Sequence, residues 1–247
     1  MTADAVVLVH GTRTSHSQWD LQVPSLLAAG YEVVLVDLPG HGTRRDEAFT
    51  LEAATATITD AIGYATRDAT GNADRVHVVG SSLGGMLAIH AAASAPAGLA
   101  SVVVCGASVQ PSPWTAALYG ALIRAVDVLP GGSAGTSPVF RLLLGENGAR
   151  AYLRGGRAQA DVVAPAFTAV ASLDLRAELS HIEVPVTFLH GRFDQLRLHE
   201  RSFLAAARHG HLEVLPYGTH PVNLNRPERF TADLLRVLAA AAPTLGT

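Results

Sequence analysis

The sequence contains no lysine; all 18 of its basic residues are arginines. Catalysis through a lysine Schiff base is therefore excluded, and so is a Walker A phosphate loop, which depends on a lysine side chain. The formal net charge is −3. This charge gives no electrostatic basis for binding nucleic acid or an anionic membrane, so we expect neither partner.

Cysteine is almost absent. Cys105 is the single cysteine, so an intramolecular disulfide is impossible and a reducing compartment is permitted. It ends the apolar run at 101–105 and is predicted to be a buried thiol that packs as a small hydrophobic group.

Long hydrophobic runs are also missing. No stretch approaches the ~20 apolar residues of a membrane span. The amino terminus has no basic region, and its apolar run is too short for a signal peptide. We therefore expect a cytoplasmic protein that does not bind membranes. With 49% hydrophobic and 16% charged residues, the 247-residue chain has the composition of one large globular domain.

Short β-branched runs are what the chain has in quantity. They lie at 6–9, 33–36, 76–79, 102–105, 186–190 and 211–215. Most are nearly all apolar, which is typical of parallel strands buried on both faces. Stretches with helical spacing separate several of them, at 51–65, 86–95 and 230–242. This alternation predicts an α/β fold with a doubly wound, mostly parallel sheet of about six strands.

The interval 107–181 interrupts the alternation because it holds no convincing strand. Helical pieces are predicted at 114–129, 139–144, 146–153 and 162–171, with a flexible glycine-rich loop at 129–138. Long insertions of this kind are often functional. We predict a helical lid at 107–181, inserted after the fourth strand into a core formed by 1–106 and 182–247.

The segment V-V-G-S-S-L-G-G at 78–85 places two serines in a glycine-rich bend directly after a strand. Gly80 and Gly84 lie two positions either side of Ser82, whereas Ser81 has larger residues at those offsets. A strand that turns at once into a helix strains the central residue and leaves its hydroxyl projecting. The pattern predicts Ser82 as a nucleophile; the alternative is a plain turn with a serine cap.

A serine nucleophile needs a base, and the chain has eleven histidines. His220 follows the last predicted strand, and Asp194 follows the strand before it, so both lie in loops at the carboxyl edge where Ser82 is expected. A carboxylate there would hold the histidine tautomer and stabilise the imidazolium. The order Ser82, Asp194, His220 is the one that accompanies this bend.

When its motifs are considered together, the chain resembles the α/β-hydrolase family over nearly its whole length. The motifs that carry the resemblance are V-L-V-H-G-T (7–12), V-D-L-P-G-H-G (36–42), V-G-S-S-L-G-G (79–85), H-G-R-F-D (190–194) and G-T-H-P (218–221). The resemblance implies a nucleophile elbow at Ser82 and an oxyanion hole formed by the backbone N–H groups of Thr12 and Leu83. It implies no cofactor and no metal.

The sequence departs from the family pattern at two points. The antiparallel strands common at the start of the family are missing, as in its compact subgroup of small esterases and hydroxynitrile lyases. Ser81 stands before the nucleophile where many relatives carry histidine. The lyases of that subgroup rely on a lysine that this chain lacks, and haloalkane dehalogenases need an aspartate in place of Ser82.

The leading interpretation is a serine hydrolase that cleaves an ester, lactone or thioester through an acyl-enzyme on Ser82, with a small-molecule, apolar acyl compound as substrate. A carbon–carbon bond hydrolase on the same triad is one alternative. A ligand-binding protein on a hydrolase scaffold is another, since fold does not determine function.

Other candidates are assigned structural roles. The ring of His10 is expected to support the oxyanion loop, and Asp37 to stabilise a tight turn. A metal site at His209 and His211 is disfavoured because no carboxylate or cysteine partners lie at ligand spacing.

Arg13 is interpreted as a surface residue, with contact to an acidic substrate as the alternative. Core or lid packing is expected for the aromatic residues Trp19, Trp114, Phe140 and Phe167, with the lining of the acyl or alcohol pocket as the alternative for some of them.

Overall fold

A computed structural model describes residues 4–67, 73, 75–128, 131 and 138–241. The sheet contains β1 (Ala5–Val9), β2 (Glu32–Val36), β3 (Val76–Ser81), β4 (Leu99–Cys105), β5 (Val186–Gly191) and β6 (Gly210–Leu215). Their spatial order is β2-β1-β3-β4-β5-β6, and every neighbouring pair is parallel. This confirms the predicted doubly wound sheet.

Helices surround the sheet and fill the connections between strands. They are α1 (Val23–Ala28), α2 (Leu51–Arg67), α3 (Leu83–Ala93), α4 (Pro113–Asp127), α5 (Pro138–Arg154), α6 (Val163–Ala171), α7 (Leu175–Leu179), α8 (Glu200–Ala206), α9 (Val222–Asn225) and α10 (Pro227–Ala240). Short 3-10 helices lie at His16–Trp19, Gly42–Arg44 and Ala160–Val162. None of the described helices is both long and apolar enough to cross a membrane.

Strand β1 shows why the strands are apolar at consecutive positions. Val7 and Val9 belong to a hydrophobic cluster that includes residues of α2 and α3. Val6 and Leu8 point the other way, into a cluster with Trp19 and residues of α10. Since each face of the sheet is covered by helices, both sets of side chains are removed from water. Cys105 is buried in the second cluster, as predicted.

Helices α4 to α7 occupy the chain between β4 and β5, where the helical interval is predicted. The two pieces predicted at 139–144 and 146–153 are both helical and lie on either side of a kink in α5 at Gly145, where the backbone leaves the helical conformation with a φ of 71°. Helix α5 packs on α9, and a Cβ on Gly148 would lie 2.4 Å from the carbonyl oxygen of Leu224. Most of the loop predicted at 129–138 lies outside the described residues.

Candidate active site

Ser82 occupies the turn between the end of β3 and the start of α3. Its φ of 56° and ψ of −121° are unfavourable for a residue with a side chain, and such strain concentrates at functional positions. The flanking glycines allow the turn to close. A Cβ on Gly80 would lie 2.3 Å from the Gly84 carbonyl oxygen, and one on Gly84 would lie 2.5 Å from the His10 carbonyl oxygen. The bend that the glycine spacing predicts is therefore present.

His220 and Asp194 form a hydrogen-bonded pair at the carboxyl edge of the sheet. The Nδ1 atom of His220 lies 3.1 Å from Oδ2 of Asp194, and the N–H of Leu196 donates to Oδ1 at 2.7 Å. Burial raises the pKa of Asp194, but the charge and hydrogen bond of His220 and the Leu196 amide outweigh it, so the net pKa is lowered. An ionised carboxylate here holds a proton on Nδ1 of His220 and leaves Nε2 to accept another.

Ser82 and His220 line the same cavity, of about 230 Å³. A second cavity, of about 350 Å³, also begins at Ser82. We call them the arginine cavity and the apolar cavity, after Arg13 and Arg157 in the first and after the Phe167 and Met86 side chains in the second.

Tyr119 and Gln195 line both cavities together with Ser82. Burial and the nearby Asp194 raise the pKa of the Tyr119 phenol, while polar interaction with Ser82 and Gln195 opposes the shift. Sequence reasoning missed both residues. Tyr119 lies at an ordinary position of a helix, and Gln195 carries no chemical signature of its own.

Of the two predicted oxyanion-hole residues, Leu83 directly follows Ser82, and Thr12 lines a cavity that Ser82 also lines. Leu83 is the first residue of α3, and N–H groups of a first helical turn have no acceptor within the helix. Thr12 lines the arginine cavity, in the loop where a Cβ on Gly11 would lie 3.2 Å from Cβ of Ser82. Within the described part of the chain, the buried hydroxyl of Thr12 has no hydrogen-bond partner.

Gln18 joins the loop after β1 to the nucleophile bend. The N–H of Gly11 donates to Oε1 of Gln18 at 2.7 Å, and Nε2 of Gln18 donates to the Ser81 hydroxyl at 2.9 Å. Ser81, which departs from the family pattern, therefore anchors the loop that carries Thr12. Sequence reasoning missed Gln18, because this bridge spans 63 residues of chain.

His10 and Asp37 have the structural roles expected of them. Nε2 of His10 accepts from the N–H of Leu38 at 3.0 Å, and Nδ1 donates to the Gly11 carbonyl at 2.7 Å. Burial and the neighbouring His41 lower the pKa of His10 to about 3, so the ring is neutral. Asp37 accepts from the N–H groups of His16 at 2.7 Å and Thr43 at 2.9 Å.

The structure corrects one assignment. Arg13 is not a surface residue: it is 3% exposed, donates through Nε to the Ala158 carbonyl at 3.2 Å and pairs with Asp127. Trp114 lies in the interval predicted as a lid and lines the apolar cavity, but it is 71% exposed and so is not packed in a core. Trp19 is fully buried, as expected.

Among the described residues, no group of three or more histidine, cysteine, aspartate or glutamate side chains could hold a metal ion.

Comparison with known proteins shows the family of the chain. Residues 6–234 match the model of the Alpha/beta hydrolase family. The chain is 31% identical, over 96% of its length and 95% of the relative's, to a pimeloyl-(acyl-carrier protein) methyl ester esterase of Xanthomonas campestris pv. campestris. The enzyme of the same name from Xanthomonas axonopodis pv. citri is 29% identical over the same shares of the two chains.

A solved structure shares the fold. The esterase EaEST from Exiguobacterium antarcticum superposes with a TM-score of 0.77 at 20% identity, over 97% of this chain and 93% of that one. The family model spans nearly the whole chain, from β1 into α10. The family inferred from the sequence motifs is thereby confirmed: the chain belongs to the α/β-hydrolase family.

Proposed function

We propose that this hydrolase cleaves a carboxylic ester, lactone or thioester, with Ser82 as nucleophile, His220 as base and Asp194 as the orienting acid. The observation that carries the proposal is the 3.1 Å hydrogen bond between His220 and Asp194 at a cavity that also contains the strained Ser82. The ester chemistry in the names of the relatives agrees with it.

In the first half of the reaction, Nε2 of His220 takes the proton of the Ser82 hydroxyl while Oγ attacks the substrate carbonyl carbon. The resulting imidazolium is stabilised by the ionised Asp194. When the tetrahedral intermediate collapses, the bond to the leaving alkoxide or thiolate breaks and His220 returns the proton to it. The acyl group is then covalently held on Ser82.

In the second half, water replaces the alcohol. His220 removes a proton from the water, the hydroxide attacks the acyl carbon, and the free acid leaves as His220 protonates Oγ of Ser82. The proposed chemistry uses only groups of the chain and requires no cofactor. In each half the backbone N–H groups of Thr12 and Leu83 donate to the oxyanion, and each is worth about 3 kcal/mol in the transition state.

The helical interval 107–181 acts as a lid in this proposal, and 1–106 and 182–247 form the catalytic core. Helices α4, α5 and α6 supply walls of the two cavities at Ser82. The apolar cavity, with Met86 and Phe167 in its lining, suits an apolar part of a small-molecule substrate.

Covalent labelling tests the nucleophile. A fluorophosphonate probe is expected to label the wild-type protein at Ser82, and Ser82→Ala is expected to lose both the labelling and about 10³-fold or more in kcat on an activated ester. Ser81→Ala is the control for the choice between the two adjacent serines: it removes the hydroxyl that accepts from Gln18 but leaves Ser82 intact, so labelling at Ser82 is expected to persist. Labelling at another residue, or ester turnover that survives in Ser82→Ala, would contradict the mechanism.

A further inference from the structure

The arginine cavity carries positive charge that ester hydrolysis does not itself require. Arg13 and Arg157 both line it, with side chains only 4% and 7% exposed. The described residues that line this cavity include no aspartate or glutamate. Buried guanidinium groups are costly unless an anion compensates them.

One carboxylate behind the cavity contacts both arginines. Oδ1 of Asp127 accepts from Nη2 of Arg157 at 3.0 Å, while Oδ2 pairs with Arg13. Asp127 is therefore shared, and within the described part of the chain Arg157 has no carboxylate to itself.

Arg157 also has hydrogen-bond donors to spare. Its Nε and Nη1 atoms are buried and have no hydrogen-bond partner within the described part of the chain. Unsatisfied donors on a charged group are strongly unfavourable, so native proteins normally supply an acceptor.

Two aromatic rings hold the Arg157 guanidinium in place. Its central carbon lies 4.8 Å from the ring centre of Phe140 and 5.6 Å from that of Tyr152. Cation–π contacts favour a cation here and restrict its orientation. The result is a pre-positioned cation with a shared carboxylate and two unpartnered donors, in the lining of the cavity that contains Ser82 and His220.

We propose that the arginine cavity binds a carboxylate of the substrate, so that the preferred substrate is an anionic ester. Arg157 binds the carboxylate, Arg13 adds positive charge, and the apolar part of the same molecule lies in the apolar cavity. This inference rests on the proposed esterase activity and assigns its substrate class.

Two matched ester pairs test it and distinguish a carboxylate on the acyl side from one on the alcohol side. The acyl pair is monomethyl adipate and its neutral carboxamide analogue, methyl adipamate. The alcohol pair is p-carboxyphenyl butyrate and p-carbamoylphenyl butyrate. Each pair keeps size and shape and changes the charge. In the alcohol pair the acidity of the leaving phenol also changes, but this difference is the same for every enzyme variant and cancels when variants are compared. The readout is the acid-to-amide ratio of kcat/KM, from chromatography of the products.

The wild-type enzyme is expected to prefer the acid by about tenfold or more in at least one pair, the usual scale of a charge-assisted hydrogen bond. Arg157→Gln is expected to bring that ratio close to one. Arg157→Lys, which keeps the charge but loses the planar guanidinium, is expected to retain part of the preference. Arg154→Gln is the matched control: this arginine is exposed, pairs with Asp20, and its replacement leaves the ratio unchanged.

Ser82-dependent hydrolysis of the esters with no acid preference in either pair would overturn the carboxylate site alone. A wild-type ratio in folded Arg157→Gln would also overturn it, and thermal melting establishes that the variant is folded. Should Arg157→Gln not fold, the wild-type ratio and Arg157→Lys still decide the question. Failure of the folded wild-type enzyme to hydrolyse any of the four esters would overturn the proposed function together with this inference.

Discussion

The Nδ1 atom of His190 accepts a hydrogen bond from the backbone N–H of Gly106 at 3.1 Å. The proton of the neutral ring is therefore on Nε2, which donates to the Ser108 hydroxyl at 2.8 Å. Burial lowers the pKa of His190 to about 4, in keeping with a neutral ring. Gly106 lies directly beside Asp194 and His220. His190, a buried histidine outside the proposed triad, therefore holds the segment of backbone that contacts this pair.

This contact predicts how stability depends on pH. The folded state keeps His190 neutral, and folding lowers the pKa of the ring from 6.5 to about 4. The stabilisation by the neutral ring is therefore complete above pH 6.5 and is lost as the pH falls to about 4. The free energy of unfolding changes by ~3 kcal/mol over this range. Urea unfolding measured between pH 7 and 4 should show a steeper loss of unfolding free energy in the wild-type protein than in His190→Gln. Equal slopes would contradict the role of His190.

Gly106→Ala should damage catalysis more than stability. A Cβ at this position would lie 2.5 Å from both Oδ2 of Asp194 and Nδ1 of His220, so the pair must separate. We expect kcat/KM on an activated ester to fall by about 10²-fold or more, because small displacements of catalytic groups are costly.

Gly30→Ala is the control for Gly106→Ala. Gly30 also has a positive φ, of 89°, but a Cβ there would meet nothing within 4 Å. Both variants carry backbone strain of about 1–2 kcal/mol, and both should show a lower melting temperature. Equal activity losses in the two variants would show that strain, and not displacement of the pair, is responsible.

Asp194→Asn should lower kcat by about 10³- to 10⁴-fold while the protein stays folded. The amide keeps the shape of the carboxylate but cannot stabilise the imidazolium or fix the tautomer of His220. Asp174→Asn makes the same change at an exposed aspartate that caps α7 through the Ala177 amide at 3.2 Å, and should leave kcat unaffected. A small effect of Asp194→Asn on kcat would place the orienting acid elsewhere.

Tyr119 is expected to control selectivity between the cavities. Its ring packs against Phe167 with centres 5.3 Å apart, and it lines both cavities at Ser82. Tyr119→Ala should join the two spaces and raise the relative kcat/KM for longer acyl chains, measured over a chain-length series of activated esters. Tyr119→Phe keeps the ring and should retain the wild-type profile. An unchanged profile in Tyr119→Ala would contradict this role.

The sequence predicts the sheet well because its strands are buried on both faces, so that apolar β-branched runs mark them directly. It also locates the bend at Ser82, where glycine spacing reflects backbone contacts within a few residues. Helices α1, α7, α8 and α9 were missed because they have four to seven residues. Elements this short do not repeat a helical pattern often enough to be recognised.

What sequence reasoning could not supply is contact between distant segments. The sequence favours a surface position for Arg13 because arginines usually lie there, yet this residue pairs with Asp127, 114 positions away. The position of Tyr119 beside Ser82 depends likewise on how α4 lies over the sheet. Local patterns therefore predict the elements and the reactive groups, while the substrate-facing walls depend on tertiary packing.

The two cavities share one helical wall and differ in the other. Among the residues that the structure describes, those of α5 line the arginine cavity alone of the two, those of α6 line the apolar cavity alone, and α4 contributes to both. Substitutions in α5 or α6 can thus retune recognition of one half of a ligand without disturbing the other half or the reacting serine. Specificity for each part of a ligand can therefore evolve separately, while the reacting residues stay the same.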